Sequence, residues 1–195
     1  LLFYTGVLMR VLLLAILCLS AFGCQSKGKA PSNSVSINIV TDPSTIDPRK
    51  VRNLNDIILT SMLFEGLMRM DQEGNASPAL AKKVVISEDG KTYTFSLQKA
   101  YWTNGDKVSA DDFLYAWTKS LTPGGLSENA FQLYCIENAK EVREGKLSLE
   151  ALGIEAVDEN TLVVRLAYPL PYFLELLCLP PFFPVNAKMD QSSWG

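Results

Sequence analysis

The order of patterns along the chain predicts a mixed α/β body of the α+β kind, and three observations carry that reading. Thr92 to Leu97 and Thr161 to Leu166 each alternate apolar with polar residues beside a turn, the period of a half-buried strand. Between them, Ala110, Phe113, Leu114, Trp117 and Leu121 recur at the spacing of one buried helical face. Strands and helices do not alternate regularly, as they would in a doubly wound parallel sheet.

At the front, Arg10 precedes the apolar run Val11 to Phe22, roughly a dozen residues and shorter than the roughly twenty that span a bilayer as a helix. That is signal-peptide length, and Met9-Arg10 makes a natural start, so residues 1–8 are expected not to be made. Ala21-Phe22-Gly23-Cys24 is similar to a bacterial lipoprotein cleavage box, which would make Cys24 the lipidated first residue of the mature chain. Phe22 is bulky for that box, and an ordinary secretory cut nearby is the alternative. Both readings export the protein. The segment from Gln25 to Ser34 is small, polar and Pro/Gly-bearing, and reads as a tether that cannot bury enough surface to fold.

Ser34 to Val40 puts Val35, Ile37 and Ile39 on one face and predicts a strand that ends at Asp42-Pro43. Leu54 to Phe64 is apolar at helical spacing through Leu54, Ile57, Ile58, Ser61 and Met62, with Asn53 as the cap and Gly66 just past the end. Leu67 to Met70 starts the next strand. Val84 to Ile86 and Thr92 to Leu97 flank Asp89-Gly90 and predict a hairpin, and Ile154 to Val157 with Thr161 to Leu166 predict a second one. In the run Trp102 to Phe113, Asn104-Gly105 reverses the chain and Ser109 with Asp112 forms a capping box for the helix Ala110 to Leu121. Thr122-Pro123-Gly124-Gly125 stops that helix. Further helical stretches are expected over Ile136 to Arg143, Leu147 to Leu152 and Tyr172 to Cys178, the last ending before Pro180-Pro181.

Several of these blocks together carry a family resemblance: Ser44-Thr45-Ile46-Asp47-Pro48, Leu63 to Leu67, Ser77 to Ala81, Gly90 to Leu97, Trp102 to Phe113, Gly153 to Asp158, and Pro169 to Phe173. In this order they resemble the family 5 extracytoplasmic solute-binding proteins that feed peptide ABC importers. Departures are mild, with Gln98 where a basic residue is usual and Lys107 where proline is usual. The resemblance implies an incomplete periplasmic-binding-protein type II fold, with 35–64 as the opening strand and helix of lobe I. Residues 65–195 would then form the extra lobe, the chain stopping before the rest of lobe I and the second lobe. Residues 1–23 would be the signal and 24–34 the lipidated tether.

The same resemblance implies capture of short peptides, delivery to ABC permease subunits of the inner membrane, and a lipid anchor on the extracytoplasmic face. It carries over a few ligand-binding candidates. Arg52, Asn53 and Leu54 fall where the first lobe runs along the cleft, with a capped helix entry as the alternative reading. Asn129 and Phe131 lie in a second cleft-facing loop, Gly124 to Phe131, with a core role as the alternative for Phe131.

Composition excludes several classes. The chain is 48% hydrophobic and 20% charged with a formal net charge of -3, ordinary values for a globular domain. Its scattered lysines and arginines form no basic stripe, so nucleic acid is not expected as a partner. The sequence holds no histidine, which removes the usual general base and the usual zinc ligand. No metal, cofactor or catalytic residue is therefore expected. Cys135 and Cys178 remain in the mature chain, either paired in an oxidising compartment or left as buried apolar thiols. An enzyme built on Asp111, Asp112 or Glu65 is the competing class. Adjacent carboxylates at a helix start are better explained by the macrodipole and capping, because neighbouring side chains point about 100° apart. A truncated receptor that binds nothing is a further alternative.

Overall fold

The computed structural model describes residues 34–39, 41–125 and 127–190. The chain divides into two units, Leu1–Asn38 and Ile39–Gly195. The signal segment and Cys24 lie outside the described residues. Of the first unit, residues 34–38 are described; they are exposed and take no regular secondary structure. The strand expected over Ser34 to Val40 is thus corrected for residues 34–39. Period-two alternation makes a strand only where another strand offers its backbone groups, and no described strand pairs with this one.

In the second unit, helix α1 (Leu54–Leu63) is followed by the short strands β1 (Met68–Met70) and β2 (Ala76–Pro78), paired antiparallel. Strands β3 (Ala81–Ile86) and β4 (Thr92–Leu97) form the first expected hairpin, and β5 (Ile154–Asp158) and β6 (Thr161–Arg165) the second. The two hairpins join through β4 and β6 into one four-stranded antiparallel sheet of order β3-β4-β6-β5. Phe95 stands opposite Leu162 and Tyr93 opposite Val164, which puts the buried side chains of both inner strands on one face.

Helix α2 (Ala110–Leu121) packs on that sheet beside β5. Its start is built as the sequence predicts: the Ser109 amide donates to the Asp112 carboxylate at 2.9 Å, and Gly105 turns the chain ahead of it at φ 90°. Ala110, Phe113, Trp117 and Leu121 are completely buried, while Leu114 lies at the edge of the core. Four ring contacts then connect sheet to helix: Tyr93 to Phe173 at 4.8 Å, Phe173 to Phe182 at 6.4 Å, Phe182 to Trp117 at 5.8 Å and Trp117 to Phe113 at 6.1 Å. All are edge-to-face, the arrangement that the ring quadrupole favours. The indole of Trp117 also donates to the Phe182 carbonyl at 3.1 Å, so its one polar atom is satisfied in the core.

The remaining helices are shorter than expected. Within Ile136 to Arg143 only α3 (Ala139–Arg143) is α-helical, because Ile136 pairs with Leu166 as an isolated bridge and Asn138 enters the left-handed region at φ 61°. Leu147 to Leu152 reduces to a 3₁₀ turn at Leu149–Ala151, and the last helix to α4 (Phe173–Leu176). Pro180 and Pro181 open a 3₁₀ turn over Pro180–Phe182. Gly66 does not cap α1 through a positive φ. It allows close approach instead, since a Cβ there would lie 2.7 Å from the Leu177 carbonyl and 2.8 Å from the Phe183 ring.

Helix α1 turns its polar side inward. Its buried residues are Asp56 and Thr60, whereas Leu54, Met62 and Leu63 are exposed. The polar side is drawn in because the Asp56 carboxylate accepts four hydrogen bonds there: from the Ser44 amide at 2.8 Å, the Ser44 hydroxyl at 2.6 Å, Asn53 Nδ2 at 3.0 Å and the Arg52 amide at 3.3 Å.

Candidate functional site

The chain entering α1 is fixed before it reaches the groove. The Asp47 and Arg49 side chains are buried and paired, and the Lys50 amide donates to the Asp47 carbonyl at 2.9 Å to close a turn. Val51 is buried, Arg52 points outward, and Asn53 caps α1 by accepting from the Asp56 amide at 3.0 Å. Against this entry lies the loop that follows α2. Ser127 Oγ donates to the Arg49 carbonyl at 2.9 Å, and Asn129 Nδ2 donates to the Val51 carbonyl. Two alternate backbone carbonyls of the entry segment are thus held by two alternate side chains of the loop. Arg52 pairs with Glu128 across the same seam at 2.8 Å, with both side chains exposed.

The loop is itself held from below by Arg143, the last residue of α3. Its Nη1 donates to the Thr122 carbonyl, and its Nη2 to the Gly125 carbonyl at 2.7 Å and the Ser127 carbonyl at 3.4 Å. Between seam and helix opens a groove of about 390 Å³, lined among others by Arg52, Glu128, Phe131, Tyr134 and Arg143. Phe131 is 61% exposed there, so it is a wall of the groove and not a core residue.

The candidate residues therefore separate. Arg52 and Phe131 share the groove. Asn53 and Asn129 bond to backbone on either side of the seam, and Leu54, 68% exposed, lies on the outward face of α1. Glu128, Tyr134 and Arg143 complete the lining without having been singled out in the sequence. Arg143 gave the one available signal, a basic residue in the last turn of a helix, but that position reads first as a partner of the helix dipole.

Two of the three carboxylates of the enzyme alternative, Asp112 and Glu65, are otherwise engaged. Asp112 accepts from the Ser109 amide and from Trp102 Nε1 at 3.1 Å; burial pushes its pKa up, and these bonds oppose the shift. Glu65 pairs with Arg69 at 3.7 Å on the surface. Cys135 and Cys178 are free thiols, so the paired alternative does not hold in this structure. Burial pushes both thiols up to about 11, with Glu175 adding to the shift at Cys178. Among the described residues no group of three His, Cys, Asp or Glu side chains could hold a metal ion.

An antiparallel sheet is covered by one helix, with a groove along a strapped loop, and solved solute-binding proteins share this mixed α/β arrangement. Comparison with known proteins gives the same class. The model of the bacterial extracellular solute-binding proteins, family 5 Middle, matches residues 75–195. The oligopeptide-binding protein OppA of Bacillus subtilis is 39% identical over 169 residues, covering 86% of this chain and 30% of that protein. The probable deoxycholate-binding periplasmic protein YgiS of Escherichia coli is 37% identical over 159 residues, 80% of this chain and 30% of its own length. Listeria monocytogenes OppA, solved bound to peptide, superposes with a TM-score of 0.74 at 33% identity, covering 76% of this chain and 29% of that one. The chain belongs to the family 5 extracellular solute-binding proteins, and it spans about 30% of the length of these relatives.

Proposed function

We propose that the chain is part of the peptide-capturing component of an ABC importer, exported and held at the membrane by a lipid on Cys24. One observation supports this most: the groove that joins Arg52 and Phe131 is formed where the entry to α1 and the loop after α2 are laced together. In this reading the groove is one wall of the ligand cleft, 35–64 opens the first lobe, and 65–195 is the extra lobe. Its rings and guanidiniums suit an extended peptide, which offers side chains for pockets and carbonyls for donors. The chain acts by binding and not by catalysis, consistent with Asp112 and Glu65 being held in a cap and an ion pair. Permease subunits are its expected partners.

Thermal unfolding of the chain from Gln25 onward, with and without a pool of short peptides, tests the proposal. A ligand that binds only the folded state raises the midpoint. An upward shift with peptide supports the reading. A shift with deoxycholate and none with peptide replaces the ligand class. No shift with either counts against ligand binding by this chain on its own.

A further inference from the structure

We infer that the groove beside Arg52 takes a carboxylate of the bound peptide, held by Arg143 and Arg52. The inference rests on the reading of this groove as a peptide site, and goes further by naming the charge that the site selects.

Arg143 carries it. Among the described residues its hydrogen bonds go to three backbone carbonyls, those of Thr122, Gly125 and Ser127, and it forms no ion pair. Carbonyl oxygens orient a guanidinium without cancelling its charge, and this one lines the groove half-buried, where solvent screens it less than at the surface. The bonds engage only its two Nη atoms, leaving part of a five-donor fork for a further acceptor. Arg52, which lines the same groove, is paired with Glu128, but both side chains are more than half exposed, so that pair is weak and can exchange for a ligand carboxylate. The lining thus sets two guanidiniums against a single carboxylate, with Phe131 and Tyr134 as aromatic walls. A planar fork matches a carboxylate through two parallel bonds, which makes an anionic group of the peptide the complementary ligand. If Arg143 only braces the loop, the groove has no reason to distinguish an acidic from a neutral peptide.

Titration calorimetry of the intact protein decides this with a tetra-alanine series. Glu is placed at each position in turn, each peptide is matched by its Gln counterpart, and every peptide is made with a free and an amidated C-terminus. The expected result is an affinity about tenfold higher for one Glu position over its Gln match, or for free over amidated ends. The first outcome assigns the carboxylate to a side chain, the second to the terminus. The preference should vanish in Arg52→Gln and in Arg143→Gln, and shrink in the unaltered protein as salt is raised. If Arg143→Gln does not fold, Arg52→Gln and the salt series decide. Equal affinity for Glu, Gln and amidated peptides overturns the inference while leaving peptide capture standing. A preference untouched by Arg52→Gln and by salt places the carboxylate elsewhere and also overturns it. Binding of no peptide at all removes the peptide reading and the inference with it.

Discussion

Arg49 and Asp190, 141 positions apart, are joined by two hydrogen bonds, from Nη1 to Oδ2 at 2.8 Å and from Nη2 to Oδ1 at 2.6 Å. The other edge of the same guanidinium meets Asp47, through Nε to Oδ1 and Nη2 to Oδ2, both at 2.8 Å. The Tyr115 hydroxyl donates to Asp190 at 2.7 Å and ties the cluster to α2. Burial opposes the Arg49 charge, but the bonds to Asp47 and Asp190 outweigh it and raise the pKa. Because Ser127 bonds to the Arg49 carbonyl, this cluster sets the position of one side of the groove.

Replacing Arg49 by Met removes the guanidinium that two carboxylates share, leaving Asp47 with Lys50 and Asp190 with Tyr115. The expected loss is about 3–5 kcal/mol, read from the denaturant midpoint. Adding Asp47→Asn and Asp190→Asn to that variant should recover part of it. A loss in Arg49→Met alone that matches an ordinary surface substitution contradicts the cluster.

Asp56 makes acid stability testable. Burial raises its pKa, but bonds from the Ser44 hydroxyl and amide and from the Arg52 amide outweigh burial and leave it below the ordinary value of 3.8. For a carboxyl depressed on folding, the stabilisation is fully present above the unfolded value and is lost as the pH falls through the folded one. The unaltered chain should therefore lose stability more steeply below about pH 4 than Asp56→Asn, which at neutral pH is already weaker by about 1–3 kcal/mol. Parallel slopes in melting temperature against pH would count against this role.

Gly66→Ala should destabilise the fold by about 1–3 kcal/mol, since its Cβ must push against the Leu177 carbonyl and the Phe183 ring. Gly74, in the turn between β1 and β2, has φ 84° and nothing within 4 Å of a Cβ. Gly74→Ala therefore meets backbone strain alone. Urea midpoints of the two variants separate crowding from conformation.

Both thiols should resist modification. With values near 11, Cys135 and Cys178 carry little thiolate at pH 8, and Cys135 is also shielded from solvent. The chain from Gln25 onward should react with two equivalents of a thiol reagent promptly in denaturant and slowly without it. Fewer than two equivalents in denaturant would reveal a disulfide.

The hairpins and α2 were legible because their signals are local: Tyr93, Phe95 and Leu97 alternate, and Ser109 with Asp112 brackets a helix start. The joining of the hairpins through β4 and β6 was not, because neither pattern specifies which strand lies beside it. Helix α1 was legible as a helix, but its inner face was not. The apolar stripe from Leu54 to Met62 predicts burial, while the Asp56 bonds that turn the polar side inward come from Ser44, outside the helical window. At the groove, Arg52 and Phe131 followed from the family resemblance, whereas Arg143 reaches the site only through tertiary bonds to carbonyls of another loop.

The central claim is that peptide binds in the groove beside Arg52, and Phe131 tests it most directly because its exposed ring can be removed without emptying the core. Calorimetric titration of the intact protein with a short peptide, repeated on Phe131→Ala, is the measurement. Affinity should fall by about tenfold in the variant, as expected when one aromatic wall of the groove is lost, with the melting temperature of the free protein unchanged. Equal affinity in both proteins would contradict it and place the ligand elsewhere.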